Sequence, residues 1–597
     1  MFHYFNKKIW KLKERIKCIR WTLAGGLLLM AILAMAHLYL VSKTFVIDDA
    51  GSIHSTFEGY GDIPLHLTQI SKFAYENSFD LNEPIFFGEK IHYPFLINFI
   101  SGLLLRLTGW FTFSVMFPIY LLVIANLILL AAIYNKLFKN LFLTAVAVWL
   151  FMLGSGVGGL TYLAKSIMEH QPISQISSEI IRGKIPSTIY LSAKYPAQNI
   201  DFGAPIALAF IHQRTFFLGF FGFLLFLYLL IKLESRPNLK WKKIFSAGLV
   251  YGLLPMIHTH SFVAASIVLV AYGIILAIKK QWLNLKKLCI LMVTGFILAI
   301  PQVWYLIGTK DIFVSTGSFV KFRLGWMINS AIGSVQFPSG DIPSVVSFAY
   351  LYFLSLNFGF ILFIFFLGTA YFIFRSKKLQ DNNILPILFF LSAVLIFSIV
   401  QIIQFQPWDF DNNKLLVYYQ LFAAPFTLWL IIFLFGKYKK VTIGIIIGYF
   451  FVATFSGFID LTSRLREKKS DLSIIFDISA EHLATFVRSN LKNELILTST
   501  NHLNPVASLA GKGVLVGYPG WLWTRGIDYF EREKEIRIFY ANPLKKDGLL
   551  QKYRIRYVLL DNMTKNEYGA KKEVFDQLFD KIFEDGQYIL YKVNKNY

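Results

Sequence analysis

Apolar residues occur along this chain in long blocks separated by short polar segments. The blocks are about 20 residues long, which is the length a helix needs to cross the hydrocarbon core of a bilayer. The pattern predicts a mainly α-helical, polytopic membrane bundle of about eleven transmembrane helices. The predicted spans are 21–42, 112–134, 141–163, 208–233, 244–258, 261–278, 287–306, 347–374, 383–405, 415–435 and 441–461.

One further apolar segment, 93–110, decides the topology. It is about 18 residues long and contains Arg106, so we predict that it lies along the membrane interface as an amphipathic helix. The later basic loops then all fall on the cytoplasmic side, as basic loops usually do. These loops are 135–140, 232–243, 279–287, 375–378 and 436–440.

The same assignment orients the rest of the chain. It gives a basic cytoplasmic N-terminus at 1–20, a transmembrane domain at 21–465 and an external first loop at 43–111. Long apolar blocks stop near residue 466, and short apolar runs then alternate with amphipathic stretches. That alternation predicts a small external α/β domain at 466–597.

Composition supports the membrane class. Hydrophobic residues make up 55% of the chain, and the mean hydropathy is +0.53. The net charge of +23 is therefore interpreted as cytoplasmic anchoring in the inner (plasma) membrane, with lipid and not nucleic acid as the partner. The two cysteines, Cys18 and Cys289, provide no disulfide framework and no metal-ligand spacing.

Ionisable residues are concentrated where the chain first leaves the bilayer. Asp62, His66 and Gln69 fall at i, i+4 and i+7 on one face of a predicted helix. The segment "GEKIHYPF" brings Glu89, Lys90 and His92 to the same interface. For Asp62 an N-cap role is the alternative interpretation, because Asp is a favoured cap and Pro64 suits a first turn.

These pieces resemble a known family. In order they read "GYGDIPLHL", "SKFAYENSFD", "FGEKIHYPF" and "LLLRLTG". This order is similar to that of the GT-C membrane glycosyltransferases, especially the branch with protein O-mannosyltransferases and lipid A aminoarabinose transferases. Two positions depart from the family pattern: Ile63 replaces an acidic residue, and "HYP" replaces a doubled proline. The sugar and the acceptor are therefore not carried over.

The resemblance implies a sugar donor linked to a polyprenyl phosphate. It implies an inverting transfer in which Asp62 is the base, with His66 one turn along to orient the acceptor or the carboxylate. Lys90 and Arg214 are candidates to hold the leaving phosphate. An Arg at the end of a predicted span is often only an interfacial anchor, and His212 and Gln213 beside Arg214 favour a site.

Other polar clusters lie on the same predicted side. His258 and His260 stand at i, i+2 and do not share a helix face, which disfavours a zinc site. The loop "QPWDFDNNK" could bind donor phosphate, acceptor or a divalent cation such as Mg²⁺ or Mn²⁺, or be an ordinary polar turn. The residues of this loop that we single out are Asp409, Asp411, Asn412 and Lys414.

Two alternatives to the transferase stay open. A lipid or polysaccharide flippase is disfavoured because the charged residues lie in loops and no inverted repeat is visible. A non-catalytic scaffold with the same fold would bind glycans or lipids.

The acceptor of the predicted transferase is a glycan, a lipid or a protein. Trp521 and Trp523 could stack on a sugar, although core and interface packing is favoured.

Overall fold

The structure is a computed structural model that describes residues 2–76, 79–182, 202–234, 241–308, 320–323, 348–375, 384–492, 494–544 and 548–593. It is mainly helical. The helices of the first 308 residues are α1 Phe2–Ser42, α2 Phe57–Tyr75, α3 Leu96–Thr108, α4 Phe111–Phe138, α5 Leu141–Leu153, α6 Gly158–Met168, α7 Ile173–Arg182, α8 Pro205–Leu208, α9 Arg214–Glu234, α10 Trp241–Ile257, α11 Thr259–Ile278 and α12 Trp282–Ile307.

The helices after residue 347 are α13 Phe348–Arg375, α14 Ile384–Ile402, α15 Asn413–Phe435, α16 Lys439–Arg466, α17 Ile478–Asn490, α18 Pro505–Ser508, α19 Pro519–Thr524, α20 Phe530–Ala541, α21 Leu549–Lys552, α22 Asn562–Asn566 and α23 Lys572–Leu578. The strands are β1 Val46–Ile47, β2 Ile53–Ser55, β3 Lys321–Phe322, β4 Ile403–Gln404, β5 Ser473–Phe476, β6 Ile496–Leu497, β7 Tyr557–Leu560, β8 Asp580–Asp585 and β9 Tyr588–Lys592.

Within the described ranges, eight helices are long and apolar enough to cross a bilayer. They are the C-terminal half of α1 together with α4, α9, α11, α12, α14, α15 and α16. The pair α5 and α6 makes a ninth candidate if its two helices form one span. The mainly α-helical membrane fold is therefore confirmed, with fewer candidate spans in the described residues than the eleven predicted.

The span predicted at 141–163 is not one straight helix. α5 and α6 are bent by 73° across the sequence "GSGV". A side chain at Gly156 would collide with the backbone of Leu356, so the break lies directly against a neighbouring helix. The freed backbone amides find partners there: Ser155 donates to Ala453 and Val157 donates to Leu356. Non-helical backbone is tolerated at membrane depth only when protein partners satisfy it in this way.

Three further apolar segments differ from the eight. The spans predicted at 244–258 and 347–374 correspond to α10 and α13, and α13 is broken at Gly359, whose φ is +55°. The segment 93–110 forms α3, which has 13 residues and is thus about 20 Å long. A helix of that length is short for the hydrocarbon core, and its interfacial placement stays a prediction.

Four candidate spans begin at the same end of the bundle. The starts of α4 and α9 meet where Arg214 donates to the carbonyl of Val115 (2.7 Å). The starts of α11 and α15 are brought together by Gln406, which donates to His260 (3.2 Å) from the loop that leads into α15. All four helices end at or just before lysines. These are Lys136 and Lys139 for α4, Lys232 for α9, Lys279 and Lys280 for α11, and Lys437 for α15. The basic ends therefore lie opposite the end that carries these starts.

Elements from distant parts of the chain join at that starting end. β2 pairs antiparallel with both β1 and β5, so the segment after α1 is tied to the segment after α16. Lys43 adds a second tie, because its ammonium donates to the carbonyls of Arg464 (2.8 Å), Leu465 (3.2 Å) and Glu467 (2.6 Å). A cation is favourable at the C-terminal end of a helix, where carbonyls lack helical partners.

The C-terminal segment, residues 469–593, contains a four-stranded sheet in the order β6-β7-β9-β8. The β6–β7 pair is parallel, and the other two pairs are antiparallel. The amphipathic pattern of "KKEVFDQLFDKIF" is typical of a single helix, but only 572–578 is helical and β8 follows at once. Gly586, with φ +53°, turns the chain between β8 and β9, so cross-strand pairing determines this stretch.

The loop after α2 is incorporated into the C-terminal segment. Residues 84–87 run beside 514–517, with backbone hydrogen bonds from Val514 to Pro84 and from Gly517 to Ile85. α18 packs against α2, where Ser71 donates to the carbonyl of Ser508 (2.8 Å). α2 is therefore fixed between the membrane helices and the C-terminal segment.

Candidate active site

α2 begins earlier than the sequence suggested. Its N-cap is Thr56, whose hydroxyl accepts a hydrogen bond from the amide of Gly59. Asp62 therefore stands inside the helix, and its alternative interpretation as the N-cap is wrong. The Asp62 side chain is 36% exposed at the end of the bundle where α9 and α15 begin. Asp62 therefore does not cap the helix, and its presence at this end of the bundle needs another explanation.

Two residues that immediately precede α9 hold one oxygen of Asp62. Gln213 Nε2 donates to Asp62 Oδ2 at 2.8 Å, and His212 Nε2 lies 3.5 Å from the same oxygen. In the described part of the chain, the other oxygen, Oδ1, has no hydrogen-bond partner. The carboxylate is thus oriented through one oxygen, and the other is left without a hydrogen-bond partner among the described residues.

Partial burial raises the pKa of Asp62, and the nearby charge of Lys414 partly opposes that rise. Burial lowers the pKa of His212, so this imidazole is mainly neutral at pH 7. A carboxylate with a raised pKa is a stronger base than an ordinary Asp. The surroundings of Asp62 therefore favour proton acceptance.

Lys414, at the start of α15, is a cation whose charge acts on this carboxylate. Its ammonium is 3.0 Å from Asp411 Oδ1 in the preceding turn, and its side chain is 14% exposed. Asn412 shapes that turn, since its Oδ1 accepts from the amides of Phe405 (2.6 Å) and Gln406 (3.1 Å). The side chain of Asp409 lies outside the described residues. Of the loop residues singled out from the sequence, Asp411 and Lys414 thus belong with Asp62, and Asn412 has a structural role.

His66 and Arg214 belong to a buried network beneath Asp62. Asn98 donates to His66 Nδ1 (3.0 Å) and to Gln69 (2.7 Å), and Arg214 donates to Ser101 (2.8 Å). Only 3% of His66 and of Arg214 is exposed. Burial and neighbouring cations hold the pKa of His66 well below its usual value. These contacts join α2, α3 and α9, which positions Asp62 and leaves both side chains buried.

The "GEKIH" residues are not joined to Asp62. Lys90 donates to Asn82 within its own exposed loop (2.6 Å), and His92 donates to the carbonyl of Tyr305 at the end of α12 (2.7 Å). Glu89 is exposed and lies 3.8 Å from His92. Among the described residues, no hydrogen bond or ion pair connects these three side chains with Asp62.

His258 and His260 connect helices. His258 caps α11, where its Nδ1 accepts from the amide of Ser261 (3.3 Å). His260 accepts from Gln406, and the two imidazole rings stack with centroids 5.2 Å apart. The described residues contain no group of three or more His, Cys, Asp or Glu that could hold a metal. These side chains therefore do not support the divalent cation that the sequence offered as one possible ligand.

Two residues that sequence analysis missed approach the site. Tyr93 is partly buried near both Asp62 and Lys414, and this burial raises its pKa. Arg525, from the C-terminal segment, stacks over the Tyr93 ring at 4.8 Å and pairs with the buried Glu83 at 2.8 Å. Burial also raises the pKa of Glu83. Arg525 is more than 400 residues from Glu83 in the chain, so no local pattern indicates the pair.

Comparisons with known proteins identify the fold. No family model and no curated protein matches the sequence. Among solved structures, the oligosaccharyltransferase AglB from Archaeoglobus fulgidus, in complex with an inhibitory peptide and a dolichol-phosphate, has a TM-score of 0.50 and 11% identity. That match covers 96% of this chain and 74% of AglB. ArnT from Cupriavidus metallidurans bound to undecaprenyl phosphate has a TM-score of 0.44 and 9% identity, over 95% and 97% of the two chains.

The chain is therefore a polytopic membrane protein with the fold of the GT-C membrane glycosyltransferases. The fold expected from the motifs of the first loop is confirmed. At this level of identity the similarity defines the architecture, and the chemistry has to be argued from the residues around Asp62.

Proposed function

We propose that this protein transfers a sugar from a polyprenyl-phosphate donor to an acceptor hydroxyl, with inversion at the anomeric carbon, and that Asp62 is the general base. The observation that carries the proposal is the carboxylate geometry: Gln213 fixes one oxygen of Asp62 and the other is open. A general base needs such an orientation and a pKa raised toward the working pH. Burial raises the pKa of Asp62 in that direction.

In the proposed step, Asp62 Oδ1 accepts the proton of the acceptor hydroxyl as its oxygen attacks the anomeric carbon. A new C–O bond forms while the bond between the anomeric carbon and the phosphate oxygen breaks. The electron pair of the broken bond leaves with the polyprenyl phosphate. No redox partner is needed, and the proton on Asp62 is released to water after transfer.

Lys414 is the cation we assign to the leaving phosphate. It is close enough to Asp62 for its charge to oppose the rise in the pKa of Asp62. Lys90 is bound within an exposed loop and Arg214 is buried beneath the site, so both fit that role less well. The first two turns of α9 and α15 are in contact through the rings of Phe216 and Tyr418, whose centroids are 5.9 Å apart. The amide dipoles at these two helix starts favour an anion.

The donor class is supported by the architecture. AglB shares the fold and was solved with dolichol-phosphate, a polyprenyl phosphate of the kind that our reaction would release. The wide apolar surface of the bundle offers a place for such a lipid tail beside the site. The acceptor, a glycan, lipid or protein, is a hydroxyl compound reaching Asp62 from the aqueous side.

The test uses the full chain in lipid nanodiscs with a panel of polyprenyl-phosphate monosaccharides and an extract of cell-envelope acceptors. We expect release of free polyprenyl phosphate and a matching gain of one sugar mass by an acceptor. The same donor, labelled and placed in one leaflet of protein-containing vesicles, provides the comparison. Movement across the bilayer with the donor intact would contradict the transferase and favour a flippase, whereas binding with neither outcome would favour a scaffold.

A further inference from the structure

A pocket of about 320 Å³ opens on the C-terminal segment beside α2. Its volume is at the lower end of the range for ligand pockets, about 300–1,000 Å³, and so suits one or two sugar rings. Its lining combines hydroxyl, amide and aromatic side chains with a single carboxylate. The lining residues are Thr500, Asn501, His502, Tyr518, Asn562, Met563, Asn566 and Glu567.

We propose that this pocket binds the acceptor as a neutral or amino-substituted saccharide. The inference rests on the proposed function and names the substrate class of that site. Asn562 and Asn566 are exposed at i, i+4 on α22, and each amide offers both donors and acceptors. A sugar hydroxyl also donates and accepts, so these groups match it. Glu567 is the only charged residue in the lining, which disfavours phosphate or an acidic glycan.

Aromatic rings form the wall nearest to α2. Tyr518 is 39% exposed, and its ring is 5.4 Å from His502 and 5.3 Å from Trp521. An exposed ring held by neighbouring rings presents a fixed flat apolar face at low entropic cost, on which the C–H face of a sugar can stack. Of the two tryptophans noted in the sequence, Trp521 supports this wall and Trp523 is 45% exposed.

The pocket and Asp62 share the first turns of α2. Tyr60 packs edge-on against His502 with ring centroids 4.8 Å apart, and Asp62 follows two residues later. Between them Gly61 is exposed, and a side chain placed there would meet no atom within 4 Å. No side chain blocks the surface at Gly61, so an oligosaccharide bound in the pocket can extend across Gly61 to the carboxylate of Asp62.

Binding is tested on the full chain in nanodiscs with a panel of neutral, amino-substituted and acidic oligosaccharides. We expect neutral or amino sugars to bind, and Tyr518→Ala to weaken that binding by about tenfold or more, as loss of a stacking ring does. Tyr518→Phe keeps the ring and should bind nearly as well. The double variant N562A/N566A changes only exposed side chains, so it tests the pocket even if Tyr518→Ala folds poorly. Asn490→Ala, on the exposed end of α17, is the matched control.

Asp62→Asn separates this inference from the proposed function. It should lower transfer by at least about 100-fold and leave saccharide binding unchanged. Binding that depends on Tyr518 without any transferase activity would sustain the pocket and refute the enzyme. Absence of saccharide binding, equal binding by the pocket variants, or capture of a hydroxyl-bearing peptide in place of sugars would overturn the pocket proposal. Gly61→Leu should impair transfer to acceptor more than it impairs donor binding, because it narrows the proposed path.

Discussion

Gln213 and Asp62, 151 residues apart in the chain, are joined by a 2.8 Å hydrogen bond from the Gln213 amide to Asp62 Oδ2. The bond links the end of the loop before α9 to the second turn of α2. It restrains the carboxylate without neutralising it, because an amide donor leaves the charge in place. The opposite oxygen is consequently the one an acceptor hydroxyl can reach.

Asp62→Asn should lower turnover by at least about 100-fold, since general base catalysis is typically worth that much. The change removes the charge and keeps the size of the side chain, and Thr56 still caps α2, so expression and thermal stability should hold. The measurement is sugar transfer at saturating donor, with donor affinity determined separately.

Asp48→Asn is the matched control for that experiment. Asp48 is an exposed carboxylate of the same loop, held by His54 at 2.9 Å and by the amides of Ala50 and Ser52. Transfer should be nearly unchanged in this variant. If Asp48→Asn were inactive and Asp62→Asn active, the base would have been assigned to the wrong carboxylate.

The pH dependence of transfer should move in opposite directions in two variants. Lys414 lowers the pKa of Asp62, whereas Asp411 raises it. Lys414→Met therefore removes a charge that favours ionised Asp62, and the acidic limb of the kcat/KM profile should move to higher pH. Asp411→Asn should move the same limb to lower pH. Shifts in the same direction, or none, would show that Asp62 does not titrate in this limb.

How far the sequence predicts this site depends on the range of each interaction. Periodicity located α2 and placed Asp62 on its polar face, because helical spacing is a local property. The position of the Arg214 side chain depends on contacts with residues far away in the chain. Its guanidinium is buried against Val115 and Ser101 because three helices converge around it, which the sequence near Arg214 does not record.

Two local signals were also misinterpreted. The glycines at 154–159 indicate a helix break, but the apolar run around them predicts one span, and the structure has two helices bent by 73°. The dipeptide Asp585-Gly586 is a strong hairpin signal between apolar runs, yet the amphipathic pattern before it favoured a helix. At 154–159 the break is settled by packing against a distant helix, whereas β8 is settled by pairing with β9, the next strand in the chain.

Arg525→Met should destabilise the contact between the first loop and the C-terminal segment by about 3–5 kcal/mol, because it leaves the charge of Glu83 buried and unpaired. Both partners are buried, with side-chain exposures of 5% and 0%. The measurement is the midpoint of thermal unfolding, supported by limited proteolysis of the C-terminal segment.

The double variant E83L/R525M is the control for that effect. It removes both charges and should recover part of the lost stability, since an apolar pair of similar volume often replaces a buried ion pair at little cost. Equal destabilisation in the single and double variants would mean that Arg525 acts through shape and its stacking on Tyr93, and not through its charge.

Topology is the last prediction. Four candidate spans start at the end of the bundle that carries Asp62 and finish at lysines, and basic ends are retained in the cytoplasm. The C-terminal segment packs on α2 at the Asp62 end, so it should face outward. A cysteine at Ser489, which is exposed on α17, should react with an impermeant thiol reagent in intact cells after Cys18 and Cys289 are replaced by serine. A cysteine at Lys437, at the basic end of α15, should react only after lysis. The reverse pattern would place Asp62 on the cytoplasmic side, and the acceptor would then have to be a cytoplasmic hydroxyl compound.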